Sequence, residues 1–531
     1  MNFGPRDKPV RIMKKFAWFA AVLLWALAAS AVKTASAASV SEAQMVVHVD
    51  RPGPVIHREV YGQFAEQLGR GIDEGIWVGV DSPIPNIHGY RKDVVEALKA
   101  IRVPVIRWPG GCYADEYHWR DGIGPRSQRP IRPNQSWGGE DRNVFGTHEF
   151  MDFAELVGAE AYIGMNVGGG SPREMADWLE YLTADGASSL AVERRSNGRD
   201  KPWKLDYVGV GNEAWGCGGH MRPSYYADLY RQFATFARSS SGTPLSKVAS
   251  GANADDVAWT EGVLSVAAEF IDVYGVHYYT LPSGDWKHKG SATAFGEAEW
   301  IATLRNALRM DSIISMHSAV MDKYDPAKRI VLAVDEWGTW YDTEPGQSAL
   351  YQQNSLRDAL TAAITLDIFH AHADRVRMAN IAQMVNVLQA MMLTDHGKMV
   401  LTPTYHVFDL YKVFQDAVSL PFELQAPDYT FGTVKVPGLH ASAARDTNGV
   451  VHIALVNLNP NQAAELKLQV KGFAPKQVSG RLLTAAVMTS VNTFDKGGTV
   501  RPSAYLGASL QSQGALRATL PAKSVVVLDL K

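Results

Sequence analysis

From residue 60 onward, short apolar runs alternate with longer amphipathic stretches. Val60, Tyr61 and Phe64 open the series, residues 92–100 carry apolar side chains at helical spacing, and Val103, Val105 and Ile106 make the next run. A run of four to eight apolar residues reads as a strand buried on both faces, and a longer stretch with apolar residues three and four apart as a helix with one buried face. The pattern predicts strands at 60–64, 103–107, 161–166, 207–210, 247–252, 271–279, 330–334 and 378–385. It predicts helices at 92–100, 150–157, 172–182, 223–238, 300–322 and 356–373, the third opening on Pro172, a residue suited to the first helical turn. Eight such units over about 340 residues fit a closed (β/α)8 TIM barrel with insertions. An open doubly wound sheet is the alternative; no G-x-G-x-x-G follows the first strand, which weighs against it. Gly168-Gly169-Gly170 lacks the following Lys-Ser/Thr of a phosphate loop.

Beyond residue 401 the helical period fades. Short strand-like runs at 431–436, 450–456, 464–470, 480–483 and 525–530 are separated by turn residues such as Asn457, Asn459, Pro460 and Gly472. That pattern predicts a C-terminal antiparallel β-sandwich, jelly-roll-like in organisation. A partly alternating stretch at 45–56 is expected to add a strand to one of its sheets, with the barrel inserted between. At the N-terminus, Arg11, Lys14 and Lys15 precede an apolar segment at 16–31 and small residues at Ala35-Ser36-Ala37. This has the form of a cleaved export signal, the apolar part being short of the ~20 residues a membrane span needs. The expected organisation is a signal peptide at 1–37, a joining strand at 38–57, a catalytic barrel at 58–400 and a β-sandwich at 401–531. The expected location is periplasmic or extracellular, with no membrane attachment after signal cleavage.

Composition changes little in this picture. In 531 residues, a 46% hydrophobic and 20% charged share is that of an ordinary globular chain, and a net charge of -3 offers no electrostatic case for nucleic acid. Cys112 and Cys217 are too few for a disulfide-built scaffold; both follow predicted strand ends, so proximity is open, but two free thiols are expected. Fourteen Trp and twenty Tyr are a large supply of faces on which sugars stack, although most such residues serve packing.

The candidate chemistry lies in two copies of one arrangement. Tyr207-Val208-Gly209-Val210 breaks at Gly211 into Asn212, Glu213, Ala214, Trp215 and Gly216, and the run ending at Val334 is followed by Asp335, Glu336, Trp337 and Gly338. A single acid after a strand is usually a helix cap. Two, each beside Trp and Gly, point to a carboxyl pair facing one pocket, the apparatus of glycoside hydrolysis. In a barrel the active site sits at the C-terminal strand ends. The polar residues there are Glu66, Arg107, Asn166, Asn212, Glu213, His277, Tyr279, Glu336 and Gln383. No metal-ligand spacing is present, and neither metal nor cofactor is expected.

From residue 60 to the C-terminus the chain resembles the α-L-arabinofuranosidases of glycoside hydrolase family 51. The resemblance rests on YGQFAEQLGRGIDEGIW at Tyr61, RWPGGCYADEYHWRDGIGP at Arg107, GNEAWGCGG at Gly211, GVHYY at Gly275, VDEWGTWY at Val334 and IAQMVNVLQAMM at Ile381. It implies Glu213 as general acid/base and Glu336 as nucleophile of a retaining, exo-acting hydrolase. It implies Asn212 at the sugar 2-hydroxyl, Glu66 and Gln383 as glycone-binding groups, His277 and Tyr279 bracketing the nucleophile, and Arg107 keeping it ionised. Cys112 is a substrate-side position where many relatives have asparagine, so its contact to the sugar is left open. Substrates would be arabinoxylan, arabinan or their oligosaccharides, and the resemblance leaves room for a homo-oligomer. The competing readings are another retaining glycosidase of the same clan, an endoglucanase or xylosidase, and a non-catalytic carbohydrate-binding protein. Trp77, Trp178, Trp286, Trp340 and Tyr341 are candidate sugar-stacking walls, with core packing favoured for Trp178. Residues 282–296 read as either a lid or a surface insertion.

Overall fold

The computed structural model describes residues 41–347, 349–512 and 515–531; the predicted signal at 1–37 lies outside them. Eight strands close into a barrel in chain order: Gly62–Phe64, Val105–Trp108, Glu160–Met165, Tyr207–Val210, Ser246–Asn253, Val273–Thr280, Val331–Thr339 and Val376–Ile381. All neighbours are parallel, and the eighth strand shuts the ring on the first through Asn380↔Gly62 and Ile381↔Gln63. Inside the ring, Val105, Tyr162, Val248, Val273, Ala333 and Met378 pack as one plug, as the filled interior of such barrels requires. Side chains on the other face of the same strands, among them Ile106, Ile163, Val208 and Val276, are buried against the helices. Burial on both faces is why these strands read as unbroken apolar runs.

The boundaries depart from the sequence pattern where a polar partner, not hydrophobicity, decides them. The seventh strand runs past Val334 to Thr339, so Glu336 lies within the ladder opposite His277. The eighth stops at Ile381, which leaves Gln383 in the turn beyond. The second helix begins at Thr147, three residues earlier than the apolar spacing indicates. Its start is set by Glu149, which accepts a hydrogen bond from the Gly146 N–H at 2.9 Å and is itself clamped by Arg126 and Arg129.

The C-terminal region is two packed sheets. One holds five strands in the order Phe422–Gln425, Ser41–His48, Ala464–Lys471, Ala515–Leu520, Ala508–Leu510; the other holds six around Leu439–Arg445, Val451–Asn457 and Ser524–Leu530. Strict alternation shows which face is inward: Ala464, Leu466, Leu468 and Val470 are buried and their neighbours open. Ser41–His48 does join the first sheet, antiparallel to Phe422–Gln425 but parallel to Ala464–Lys471. The sandwich is therefore mixed at this one position. The strand arrives from the far side of the barrel insertion, not through a hairpin, so no turn dictates its direction.

Helix Leu356–Ala371 joins the two regions. Every residue from 356 to 370 is buried, because one face meets the seventh barrel strand and the other the six-stranded sheet. Its polar residues are held by partners at the junction. His370 hydrogen-bonds the Tyr61 hydroxyl at 2.7 Å and the Ser442 hydroxyl at 2.8 Å, and burial pushes its pKa down to about 3. Asp367 accepts from the Tyr411 hydroxyl at 3.0 Å and from His440 at 2.9 Å. Asp367→Ala strips both donors of their acceptor inside the junction. It is expected to cost about 2–4 kcal/mol, read as a lowered urea midpoint, with the barrel mouth untouched.

Candidate active site

The fourth barrel strand ends at Val210, and two side chains fix the turn beyond it. Asp115, in the loop after the second strand, accepts the Asn212 N–H at 2.9 Å and the Val167 and Gly168 N–H groups at 2.7 and 2.8 Å. The Ser250 hydroxyl accepts the Ala214 N–H at 3.1 Å. Between these anchors Glu213 sits at φ +40°, a left-handed conformation that a non-glycine residue adopts at some cost in energy. The constraint turns its carboxyl into the barrel mouth, where the side chain is 19% exposed. Burial raises the Glu213 pKa above the ordinary carboxylate range, although His277 opposes the shift.

Glu336 enters from the seventh strand and His277 from the sixth. The His277 Nδ1 lies 2.9 Å from Glu213 Oε1 and 2.6 Å from Glu336 Oε2, and its Nε2 lies 3.4 Å from Asp335 Oδ1. Burial alone would drive the imidazole neutral; the charge of Glu336 and the hydrogen bonds to the three acids outweigh it and raise its pKa well above normal. Burial likewise raises Glu336, but the charge and hydrogen bond of His277, followed by Arg107, bring its pKa below the ordinary value. Two carboxyl groups on one imidazole are thus pushed apart, one towards the acid and one towards the carboxylate. Such separation marks paired catalytic acids.

Arg107, on the second strand, is wholly inside. It donates to the Asp335 carbonyl at 2.9 Å and to Asn212 Oδ1 at 2.5 Å, stands 3.9 Å from Glu336 Oε2, and lies over the Phe64 ring at 4.5 Å. Asn212 is thereby held by its backbone through Asp115 and by its side chain through Arg107. Asp335, absent from the residues that the sequence pattern singles out, accepts from the Tyr162 hydroxyl at 2.9 Å and has its pKa lowered despite burial, first by His277. Its signal in the sequence is a second acid directly before Glu336.

Glu66 closes the pocket from the first strand. Its Oε1 accepts the Tyr113 N–H at 3.1 Å and the Trp137 indole N–H at 2.8 Å, and its Oε2 accepts from Gln383 at 3.1 Å. Burial and the nearby Glu336 charge push its pKa up to about 7. Gly111 forms the floor: a Cβ there would stand 3.1 Å from Glu66 Oε1 and 3.2 Å from Glu336 Oε1. Trp137 lies in the long excursion after the second strand, in a stretch where nothing local distinguishes it from a loop tryptophan. Trp137→Phe keeps the ring and removes the donor. A charge-assisted hydrogen bond of about 1.5–2 kcal/mol is lost, so kcat/KM on an arabinofuranoside is expected to fall on the order of tenfold, mainly through KM.

Other expected residues are placed unevenly. The Tyr279 phenol borders Glu336, and burial with the surrounding carboxylates holds its pKa well above normal. Tyr279, Trp340 and Trp286 pack edge to face in a mutual cluster, with centroids 4.8, 5.2 and 6.2 Å apart, and Trp286 is 47% exposed; these form the aromatic rim. Trp77 and Trp178 are core residues, against Tyr90 and Trp119 respectively, and Tyr341 is buried on Asp358 and Arg357. Asn166 is not in the pocket: its Oδ1 accepts the Gly169 and Gly170 N–H groups, and the side chain shapes that loop. Cys112 and Cys217 are not free thiols but one disulfide, Cα atoms 5.5 Å apart, joining the loops after the second and fourth strands. The expectation failed because barrel closure brings the loops after the second and fourth strands together across a sequence separation of 105, which spacing along the chain does not reveal. As for cations, Glu213, His277 and Glu336 each bring a ligand atom within 4.8 Å of the others. Histidine ligates a metal only when neutral, and here three acids hold its proton.

Residues 97–300 match the family model described as alpha-L-arabinofuranosidase 1 domain, and residues 335–524 that of the alpha-L-arabinofuranosidase C-terminal domain. A Bacteroides ovatus protein named intracellular exo-alpha-L-arabinofuranosidase is 48% identical over 504 residues, 93% of this chain and 98% of its own. The crystal structure of a family 51 arabinofuranosidase from Xanthomonas axonopodis pv. citri is similar at TM-score 0.91 and 55% identity, covering 92% of this chain and 100% of that one. An α-L-arabinofuranosidase from Thermotoga maritima, solved with arabinose, is similar at TM-score 0.77 and 29% identity, covering 92% and 99%. The Bacteroides name corrects the expectation of export. A relative matched over nearly its whole length is named intracellular, and the segment that carried the expectation lies outside the described residues. The periplasmic or extracellular location is withdrawn.

Proposed function

Since this chain belongs to the α-L-arabinofuranosidases of glycoside hydrolase family 51 and is a glycoside hydrolase, we propose that it removes terminal α-L-arabinofuranosyl residues from arabinoxylan, arabinan or their oligosaccharides by double displacement at Glu336 and Glu213. One observation carries the reading: Glu213 and Glu336 meet on the same His277 nitrogen, their oxygens within 4.8 Å. Retaining glycosidases hold their carboxyls about 5–5.5 Å apart, whereas inverting ones need about 6.5–9.5 Å to admit a water.

In the first step Glu336, ionised under the influence of His277 and Arg107, attacks the anomeric carbon. Glu213 gives its proton to the departing glycosidic oxygen. In the second, Glu213 takes a proton from water, which attacks the same carbon and frees Glu336. Asn212, immobilised by Arg107, offers its amide to the 2-hydroxyl, and Glu66 with Gln383 binds the remaining hydroxyls. Release from chain ends agrees with the name of the Bacteroides relative.

The test is the configuration of the first-formed arabinose, followed by NMR from nitrophenyl α-L-arabinofuranoside, beside rates on the nitrophenyl xyloside and a glucan. Retention with preference for the arabinofuranoside supports the reading. Inversion ends the double-displacement assignment, and faster turnover of the xyloside or the glucan would transfer the chain's activity to another branch of the clan.

A further inference from the structure

The disulfide has no part in the steps above, yet it lies against the residue proposed to perform them. Cys217 Sγ is 3.7 Å from Glu213 Oε2, and the Asn212 amide nitrogen is 3.8 Å from the same sulfur. Cys112 opens the short helical turn whose next residue, Tyr113, donates its N–H to Glu66. Cys217 is exposed and Cys112 half-buried. The two sulfurs and a Glu213 oxygen lie within 4.8 Å of one another.

We propose that this disulfide is a reducible cover over a soft-metal site: reduced, Cys112 and Cys217 bind Zn²⁺ together with the Glu213 carboxylate, and the ion blocks the acid/base. The reduction is balanced by a dithiol or a phosphine. A dithiol gives two hydrogens to the sulfurs and closes to its own disulfide; a phosphine with one water yields two thiols and the phosphine oxide. Zinc displaces the thiol protons, since the thiolate is the ligand. Tetrahedral Zn–S bonds of about 2.3 Å put the sulfurs about 3.8 Å apart, a separation reached by rotating two short side chains once the bond is broken. The Glu213 oxygen already stands at a comparable distance. In the oxidised protein the sulfurs are joined to each other and offer no thiolate. Zinc therefore has no thiolate pair to bind until the cover is opened. The inference rests on Glu213 as acid/base for its effect on turnover, but not for the binding itself.

The experiment uses the full chain, oxidised or reduced with tris(2-carboxyethyl)phosphine and desalted without air. Zn²⁺ at micromolar concentration is added during turnover of an arabino-oligosaccharide, and Co²⁺ is added separately to record the ultraviolet cobalt–thiolate charge-transfer band. In the reduced protein alone, zinc is expected to lower kcat/KM on the arabino-oligosaccharide, whose leaving group needs the proton, on the order of 10²-fold, the contribution of a general acid/base, and EDTA to restore it. Cobalt is expected to give the thiolate band in the reduced protein and none after reoxidation. In the Cys112→Ser/Cys217→Ser variant the band and the reductant-dependent zinc response both vanish. Equal zinc inhibition of oxidised and reduced protein would place the ion on Glu213, His277 and Glu336 and overturn the proposal. So would failure of the phosphine to expose two thiols in the folded protein, or reduced protein without the cobalt band. If the double variant does not fold, the wild-type oxidised–reduced comparison still decides. The cobalt band separates failure of the metal site from failure of the Glu213 assignment.

Discussion

Replacing Glu336 with glycine is expected to lower kcat on nitrophenyl arabinofuranoside by on the order of 10⁴-fold or more, because the proposed covalent route would lose its nucleophile. Azide should restore cleavage, since the deleted side chain leaves room beside the anomeric carbon for a small anion. The product would be the arabinosyl azide of inverted configuration, a single displacement having replaced two. The same variant keeps Glu213, so its response to leaving groups remains that of an enzyme with an intact acid. A variant that turns over normally, or that yields an azide of retained configuration, removes Glu336 from the role. Because Glu336 also pairs with His277, the variant's folding is checked by its urea midpoint before rates are compared.

Glu213→Gln should separate substrates by the quality of the leaving group. An arabino-oligosaccharide leaves as a poor alkoxide and needs the proton, so its kcat/KM is expected to fall on the order of 10²–10⁴-fold. Nitrophenolate leaves unaided, so formation of the arabinosyl-enzyme from the nitrophenyl substrate should suffer far less and the intermediate should accumulate. The pH profile carries the complementary sign. Glu336 must be ionised and its pKa is depressed, so activity is lost on the acid side as pH falls through that lowered value. Glu213 must be protonated and its pKa is raised, so activity is lost on the alkaline side as pH rises through that raised value. With Glu213→Gln the alkaline limb attributable to this group should disappear while the acid limb stays. Persistence of both limbs would assign the alkaline one elsewhere, Glu66 with its pKa near 7 being the neighbouring candidate.

How far the site was legible beforehand depends on which kind of information each residue carries. Glu213 and Glu336 announce themselves as a pair, since one acid after a strand can be a helix cap but two, each beside Trp and Gly, are not explained by capping. Glu66, Arg107, His277 and Gln383 follow from the barrel rule that strand ends share one mouth. Asn166 shows the limit of that rule: it stands at a strand end, yet its side chain turns back to hold Gly169 and Gly170. Trp137 shows the opposite case, a loop residue far from any strand end that donates to Glu66. The disulfide shows a third: two cysteines in different units, each unremarkable in its own surroundings.

By itself the chain's pattern of apolar and polar positions determined the number of strand–helix units, their order, the change to a sandwich after the barrel, and the two acids around which chemistry could be built. Those are consequences of local periodicity and of the high cost of burying an unexplained charge, and both are written in consecutive residues. Tertiary structure alone decided that one imidazole nitrogen faces both acids, that the resulting field splits their proton affinities, that Asp115 pins the backbone before Glu213, and that Cys112 and Cys217 meet beside it. These are through-space pairings between residues that ring closure brings together. The energies involved depend on distances of a few ångströms and on the exclusion of water, and neither exists until the barrel has closed.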